Sequence, residues 1–334
     1  MRAAIALGVM LATAPAVATA SGGGQVGAGD HAPGDAFTLA FPVDCTLGDD
    51  CFIQQYVDLD PGPGVIDHAC GPLSYDGHTG TDIALATLAE MAAGVAVLAA
   101  APGQVVGLRD EIPDTGWDPS LEGRDCGNGV VIAHGQGWQT QYCHLMLGSV
   151  TVARGDMVQT GDTLGMIGLS GRTEFPHLHL TLRHRGQVVD PFAPDGTARC
   201  DAPAGQPTLW ASPPEYVAGG WLDLGFATAV PEYDAIKAGT AQRDGLTRSA
   251  PAMVLWAYAF GARDGDTVRL RITGPAGEVI DHDLTKTRNR AQFFRAAGRR
   301  APPGGWPAGT YTGSATLLRD DRVLDARQIE IKLD

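Results

Sequence analysis

A chain of 334 residues is too long for one typical domain and implies two after processing. Hydrophobic residues make up 44% of it, and 45 glycines and 22 prolines break them into short runs, which favours strands and turns over long helices. Acidic residues outnumber basic ones 38 to 24, a net charge of −14 that repels nucleic acid and anionic lipid and excludes both as partners.

The chain starts as a secretory signal reads. Arg2 supplies the positive charge, Ala3 to Ala12 is apolar but too short to span a bilayer, and Ala18-Thr19-Ala20 fits small-residue cleavage. Residues 1–20 are therefore expected to be removed, leaving a secreted or periplasmic protein that begins at Ser21. No later stretch suits membrane insertion. Residues 21–70 read as a lead-in, partly disordered, with glycine-rich text up to Asp35. A short helix is expected over Leu85 to Ala93. From Val95 to Val189 the text alternates strand and turn. Pro102-Gly103 marks one turn, and Gly135-Gln136-Gly137 closes a hairpin between Val130–His134 and Trp138–Tyr142. Leu108 to Asp125 is a polar loop able to line a groove.

Prolines at 203, 207, 213 and 214 mark residues 201–220 as a linker. Beyond it, 221–334 reads as a second strand series. Thr267-Val268-Arg269-Leu270-Arg271-Ile272 alternates as a half-buried strand does. The spacing of strands and turns predicts an immunoglobulin-like β-sandwich. The six cysteines, an even count behind a signal, imply disulfides. Of the possible pairings, the spacing favours Cys45 with Cys51 and Cys126 with Cys143. Cys70 and Cys200 then remain, stapling the ends of the first unit. A cysteine zinc site fails because no Cys-x-x-Cys pair exists.

Histidine carries the chemistry. His78 and Asp82 stand four apart. His177 and His179 stand two apart, so on a strand they share a face while Leu178, Leu180 and Leu182 turn to the core. His144 ends the predicted hairpin. Imidazole and carboxylate suit zinc, and three protein ligands with an open fourth position mark a catalytic site. His134, His184, His282 and His31 read as structural or exposed. His68, beside Cys70, is the one candidate for a temporary fourth ligand that would make the enzyme latent.

The run from His78 to Phe192 resembles the lysostaphin-type metallopeptidase domain, the duplicated hybrid motif. The likeness rests on His78-Thr79-Gly80-Thr81-Asp82, Gly127-Asn128-Gly129, Tyr142-Cys143-His144-Leu145, Gly161-Asp162-Thr163-Leu164-Gly165, Pro176-His177-Leu178-His179 and Asp190-Pro191. It implies a mainly β, antiparallel peptidase domain over 71–200. It implies one Zn2+ per chain held by His78, Asp82 and His179, with His144 and His177 as the catalytic pair. Zinc would polarise the scissile carbonyl and lower the pKa of its bound water, the nucleophile, to about 7. One imidazole would move the proton, and the other would steady the oxyanion. The substrate implied is the peptide part of bacterial peptidoglycan. The competing readings are a non-catalytic zinc-binding regulator, a wall-binding module and a protease of extracellular proteins. The intact set of five residues weighs against the first two.

Overall fold

The computed structural model describes residues 37–200, 206–241 and 246–334. The signal and cleavage site, His31 and part of the expected lead-in and linker lie outside the described residues. The first unit runs β1 (Phe52–Gln55), β2 (Thr81–Ala84), α1 (Leu88–Ala93), β3 (Ala96–Leu98), β4 (Gly103–Arg109), β5 (Asn128–Ala133), β6 (Trp138–Leu145), β7 (Met157–Val158), β8 (Thr163–Met166), β9 (His177–His184) and β10 (Gln187–Val188). An antiparallel sheet in the order β1-β2-β9-β6-β5-β4-β7, with β10 on β9, forms its body. Beside it, β3 and β8 form a two-stranded sheet.

The hydrophobic pattern explains the layering. Leu178, Leu180 and Leu182 of β9 are buried with Val130, Ile132 and Tyr142 of the neighbouring hairpin, so every second residue meets one core. The predicted hairpin is β5–β6. Pro102-Gly103, by contrast, closes no hairpin, because β3 pairs with β8 and β4 pairs with β5. Gly103 enters the large sheet so closely against β5 that a Cβ there would lie 2.4 Å from the Ala133 carbonyl oxygen. The helix starts later than the sequence suggests. Thr87 caps it in a capping box with Glu90, and Leu85 stays in the core.

The described part of the expected lead-in contributes β1 and the buried side chains of Phe37, Leu39 and Val43. The described part of the expected linker is docked as well: Trp210 is buried in the same core, and the Tyr216 hydroxyl donates to Asp67 at 2.9 Å. All three disulfides, Cys45–Cys51, Cys70–Cys200 and Cys126–Cys143, are formed.

The second unit holds β11 (Gly220–Ala227), α2 (Tyr233–Ala238), β12 (Ala252–Ala262), β13 (Thr267–Gly274), β14 (Gly277–Thr285), β15 (Arg290–Arg300), β16 (Gly309–Arg319) and β17 (Arg322–Leu333). Two antiparallel sheets, β11-β12-β15 and β14-β13-β16-β17, enclose a common core and make a sandwich. Val268, Leu270 and Ile272 point into it as their alternation predicts. Strand β12 is apolar on both faces because both are covered. Leu255 and Ala257 face the sandwich core, Trp256 and Tyr258 join a cluster with Ile236 of α2, and Phe260 meets Phe52 and Ala84 of the first unit.

Candidate metal and catalytic centre

Strand register assembles the site. Strand β9 lies between β2 and β6, with Asp82 opposite His179 on one side and Cys143 opposite His179 on the other. Directly paired residues share a face, so Asp82, His177 and His179 emerge on the side away from the leucines. His78 arrives from the turn before β2. Its inner nitrogen Nε2 lies 3.1 Å from Asp82 Oδ1 and 3.2 Å from His179 Nδ1, and His179 Nδ1 lies 2.8 Å from the same oxygen. His177 Nε2 is 3.6 Å from Asp82 Oδ1.

His144 reaches this face through a bulge. Asn128 pairs with Leu145 and Gly129 pairs with Cys143, so two steps on β6 answer one on β5 and His144 is the extra residue. Its φ of 65° is left-handed. Without the bulge, alternation from Cys143 would turn His144 into the core. With it, His144 stands 4.6 Å from His177, centroid to centroid, and Leu145 takes the core position. The Gly127-Asn128-Gly129 run builds the bulge. A Cβ on Gly127 would lie 2.3 Å from the Ser170 carbonyl oxygen, and one on Gly129 would lie 2.4 Å from that of Tyr142. The Asn128 side-chain amide donates to the Ile112 and Leu145 carbonyls and accepts from the Ile112 N–H.

Each imidazole is fixed from behind. His78 Nδ1–H donates to the Tyr56 carbonyl at 2.6 Å, His144 Nδ1–H to Ser170 at 2.7 Å and His177 Nδ1–H to Phe175 at 3.0 Å. A carbonyl only accepts, so in the neutral rings the proton is on the outer nitrogen and a lone pair faces the cleft. His179 Nε2 meets the Thr181 hydroxyl at 3.0 Å. The inward atoms of His78, Asp82 and His179 thus converge at 2.8 to 3.2 Å. A tetrahedral ion with bonds of ~2.0 Å separates its donors by about 3.3 Å, and two neutral nitrogens with one carboxylate are a zinc donor set. The residues present fit a metal ion. The cysteines do not compete for it, since none is free among the described residues.

Electrostatics divides the histidines. Burial lowers the His78 pKa, but Asp82 outweighs it and the net shift is upward. Burial works to raise Asp82, yet the surrounding histidines hold it well below the carboxylate range. His144 and His177 are both lowered, chiefly by burial. Asp82 therefore carries its charge, and His144 and His177 are kept neutral and able to accept a proton.

All five residues singled out from the sequence meet here. His68 does not join them: its ring stacks on Phe192 and packs edge-on to Tyr56. Burial lowers its pKa to about 4. His134 is structural, bridging the Pro102 carbonyl and the Thr140 hydroxyl, both at 2.7 Å. The sequence reading missed the positioning groups, namely the carbonyls of Tyr56, Ser170 and Phe175 and the Thr173 hydroxyl, 3.1 Å from His177 Nδ1. Backbone acceptors leave no residue-type signal.

A β domain with two neutral bases beside a metal-type donor set is the architecture of a metal-dependent hydrolase. Residues 76–191 match the family described as Peptidase family M23, so the chain carries an M23 peptidase domain. Among curated relatives, the DD-carboxypeptidase/endopeptidase Mpg of Neisseria meningitidis is 40% identical over 67 residues, 20% of this chain and 15% of that protein. Peptidoglycan DD-endopeptidase ShyA of Vibrio cholerae is 34% identical over 113 residues, 34% of this chain and 22% of that protein. The match therefore spans under a quarter of either relative's length. The catalytic domain of lysostaphin from Staphylococcus simulans is 22% identical, covering 41% of this chain and 85% of that chain, with a TM-score of 0.28.

Proposed function

We propose that the protein is an exported zinc metalloendopeptidase that hydrolyses the peptide cross-links of bacterial peptidoglycan. The observation that carries this is the set of imidazoles tied from behind, with their free nitrogens turned to one carboxylate. His78, Asp82 and His179 would hold one zinc ion per chain. When bound, the ion supplies a Lewis acid for the scissile carbonyl and a lowered pKa for water.

The protein's own residues do the rest. His144 and His177 are buried, neutral and fixed with Nε2 toward the cleft, so each is an acceptor at rest. One takes the proton of the attacking water and returns it to the departing amine. Once protonated, the same Nε2 donates, so only an imidazole that already holds a proton steadies the developing oxyanion. This narrows the division of labour expected from the sequence. The printed names of the two relatives favour the D,D cross-link as the bond cut. Three closed disulfides support export to an oxidising compartment.

The test is release of new amino groups from purified peptidoglycan by the zinc-loaded protein, beside His179→Ala. Release by the first and none by the second is expected, with fragment masses that place the cut at the D,D bond. A folded, zinc-loaded sample that releases nothing overturns the reading.

A further inference from the structure

The loop from Leu169 to Phe175 supports both proposed bases. The Ser170 carbonyl holds His144, and Thr173 and Phe175 hold His177. Arg172 lies between them, its backbone N–H given to the Asp125 carbonyl at 2.8 Å. Its guanidinium sits 5.1 Å from the centroid of the Trp117 ring. Trp117 belongs to the 108–125 loop and is anchored by its N–H to the Thr173 carbonyl at 3.1 Å, with 43% of its surface exposed. Tyr75 is exposed, and its ring packs 4.4 Å from that of His78. Trp117, Arg172 and Tyr75 thus border the same cleft.

Arg172 is a weakly engaged cation, in one long and solvent-exposed ion pair with Asp125. Its side chain is 68% exposed and makes no hydrogen bond among the described residues. The nearest acid, Asp125, is 3.9 Å away and half exposed. Arg109 and Arg183, by contrast, give donors to the Gly127 carbonyl and to Gln141. An arginine laid on an indole has its plane oriented in advance, so less freedom is lost when a planar anion binds. In a chain of net charge −14, such a group beside the cleft favours an anionic ligand.

We propose that Arg172, seated on Trp117, receives a carboxylate of the substrate beside the scissile bond, so that the site selects carboxylate-bearing stem peptides over uncharged ones such as glycine bridges. The inference rests on the peptidase reading above. The guanidinium fork accepts the carboxylate through two parallel N–H donors, and Trp117 and Tyr75 flank the peptide.

The probes are a synthetic D,D-cross-linked stem-peptide dimer with free carboxylates and the same dimer with those carboxylates amidated. The zinc-loaded wild type is expected to prefer the free acid by roughly tenfold in kcat/KM, mainly through KM, with the preference shrinking as salt rises. Arg172→Gln brings the ratio close to one, and Arg172→Lys keeps a few-fold preference because it retains charge without the fork. A ratio compares two substrates on one protein sample, so a loss of folded enzyme does not alter it. Equal rates on both peptides by wild type, or an undiminished preference in Arg172→Gln, overturn the carboxylate site. Hydrolysis of neither peptide overturns the peptidase reading instead. In that event, calorimetric titration of the two peptides into both proteins still decides for or against Arg172.

Discussion

A carboxylate shut away from water loses its proton only where something answers the charge, and Asp82 and Asp190 show the two outcomes. Asp82 faces three histidines and stays ionised. Asp190 accepts the Phe192 N–H at 2.8 Å through Oδ1, while Oδ2 is buried without a partner. Burial, with a smaller contribution from Asp67, pushes its pKa up to about 7. The sign of the consequence follows. Between pH 4 and 7 the unfolded chain has lost this proton and the folded chain keeps it, so unfolding releases it. Stability from this group is therefore greatest below pH 4 and falls as pH rises toward 7, by on the order of a few kcal/mol. Asp190→Asn removes the titration and keeps the acceptor for Phe192. Whatever Asn costs at pH 5, the variant should gain on wild type between pH 5 and pH 8, read from urea midpoints. A gap that stays constant with pH would show that the carboxyl is ionised throughout.

At the scale of elements, the bulge on β6 decides whether both proposed bases reach the cleft or only one. It is held by Asn128, by the close approach of Gly127 to Ser170 and by Cys126. The Cys126 carbonyl accepts the His144 N–H at 2.8 Å, and its sulfur is joined to Cys143, the residue before His144. The crosslink thus clamps the left-handed residue from both sides. Replacing both cysteines by serine should lower kcat by roughly 10- to 100-fold through misplacement of His144, with zinc content kept, since the three donors lie on other segments. A crosslink of this loop length is also worth roughly 3 kcal/mol, so the comparison must be made well below the variant's melting point. Unchanged turnover would mean that Asn128 and Ser170 hold the bulge alone. The same bulge marks how far the sequence could be read. Strict alternation places His177, His179 and the three leucines correctly, because β9 is regular. It places His144 on the core face, because one inserted residue inverts every assignment after it, and no residue type announces the insertion. His78, Asp82 and His179 meet regardless, because His78 and Asp82 are local in sequence and β9 pairs with β2 in plain register.

Over the whole molecule, the same limit recurs as packing between units. Prolines after Asp201 suggested a spacer, yet Trp210 and Tyr216 dock on the first core and the sandwich is joined to the first unit by side chains. Nothing in a proline count distinguishes a spacer from a docked strap, whereas the doubly apolar β12 did carry a trace of it. Gln54 donates to the Ala291 carbonyl at 2.9 Å and accepts from Gln292 at 3.0 Å. The Phe260 ring of the sandwich packs at 4.6 Å, tilted by 38°, against Phe52 of β1. Phe175 packs against this cluster, and its ring lies 4.6 Å from His177. The sandwich is thereby coupled, through Phe52 and Phe175, to the loop that holds both proposed bases. Phe260→Ala removes the sandwich's aromatic ring from that cluster. Its expected costs are about 3 kcal/mol of stability, seen as a lower melting temperature, and a fall in kcat at temperatures where the variant is fully folded. Zinc content and the preference for a free carboxylate should stay as in wild type, since neither the donors nor Arg172 touch Phe260. A lower melting temperature with kcat unchanged would confine the sandwich to stability, whereas a fall in both makes it part of what holds His177 in place.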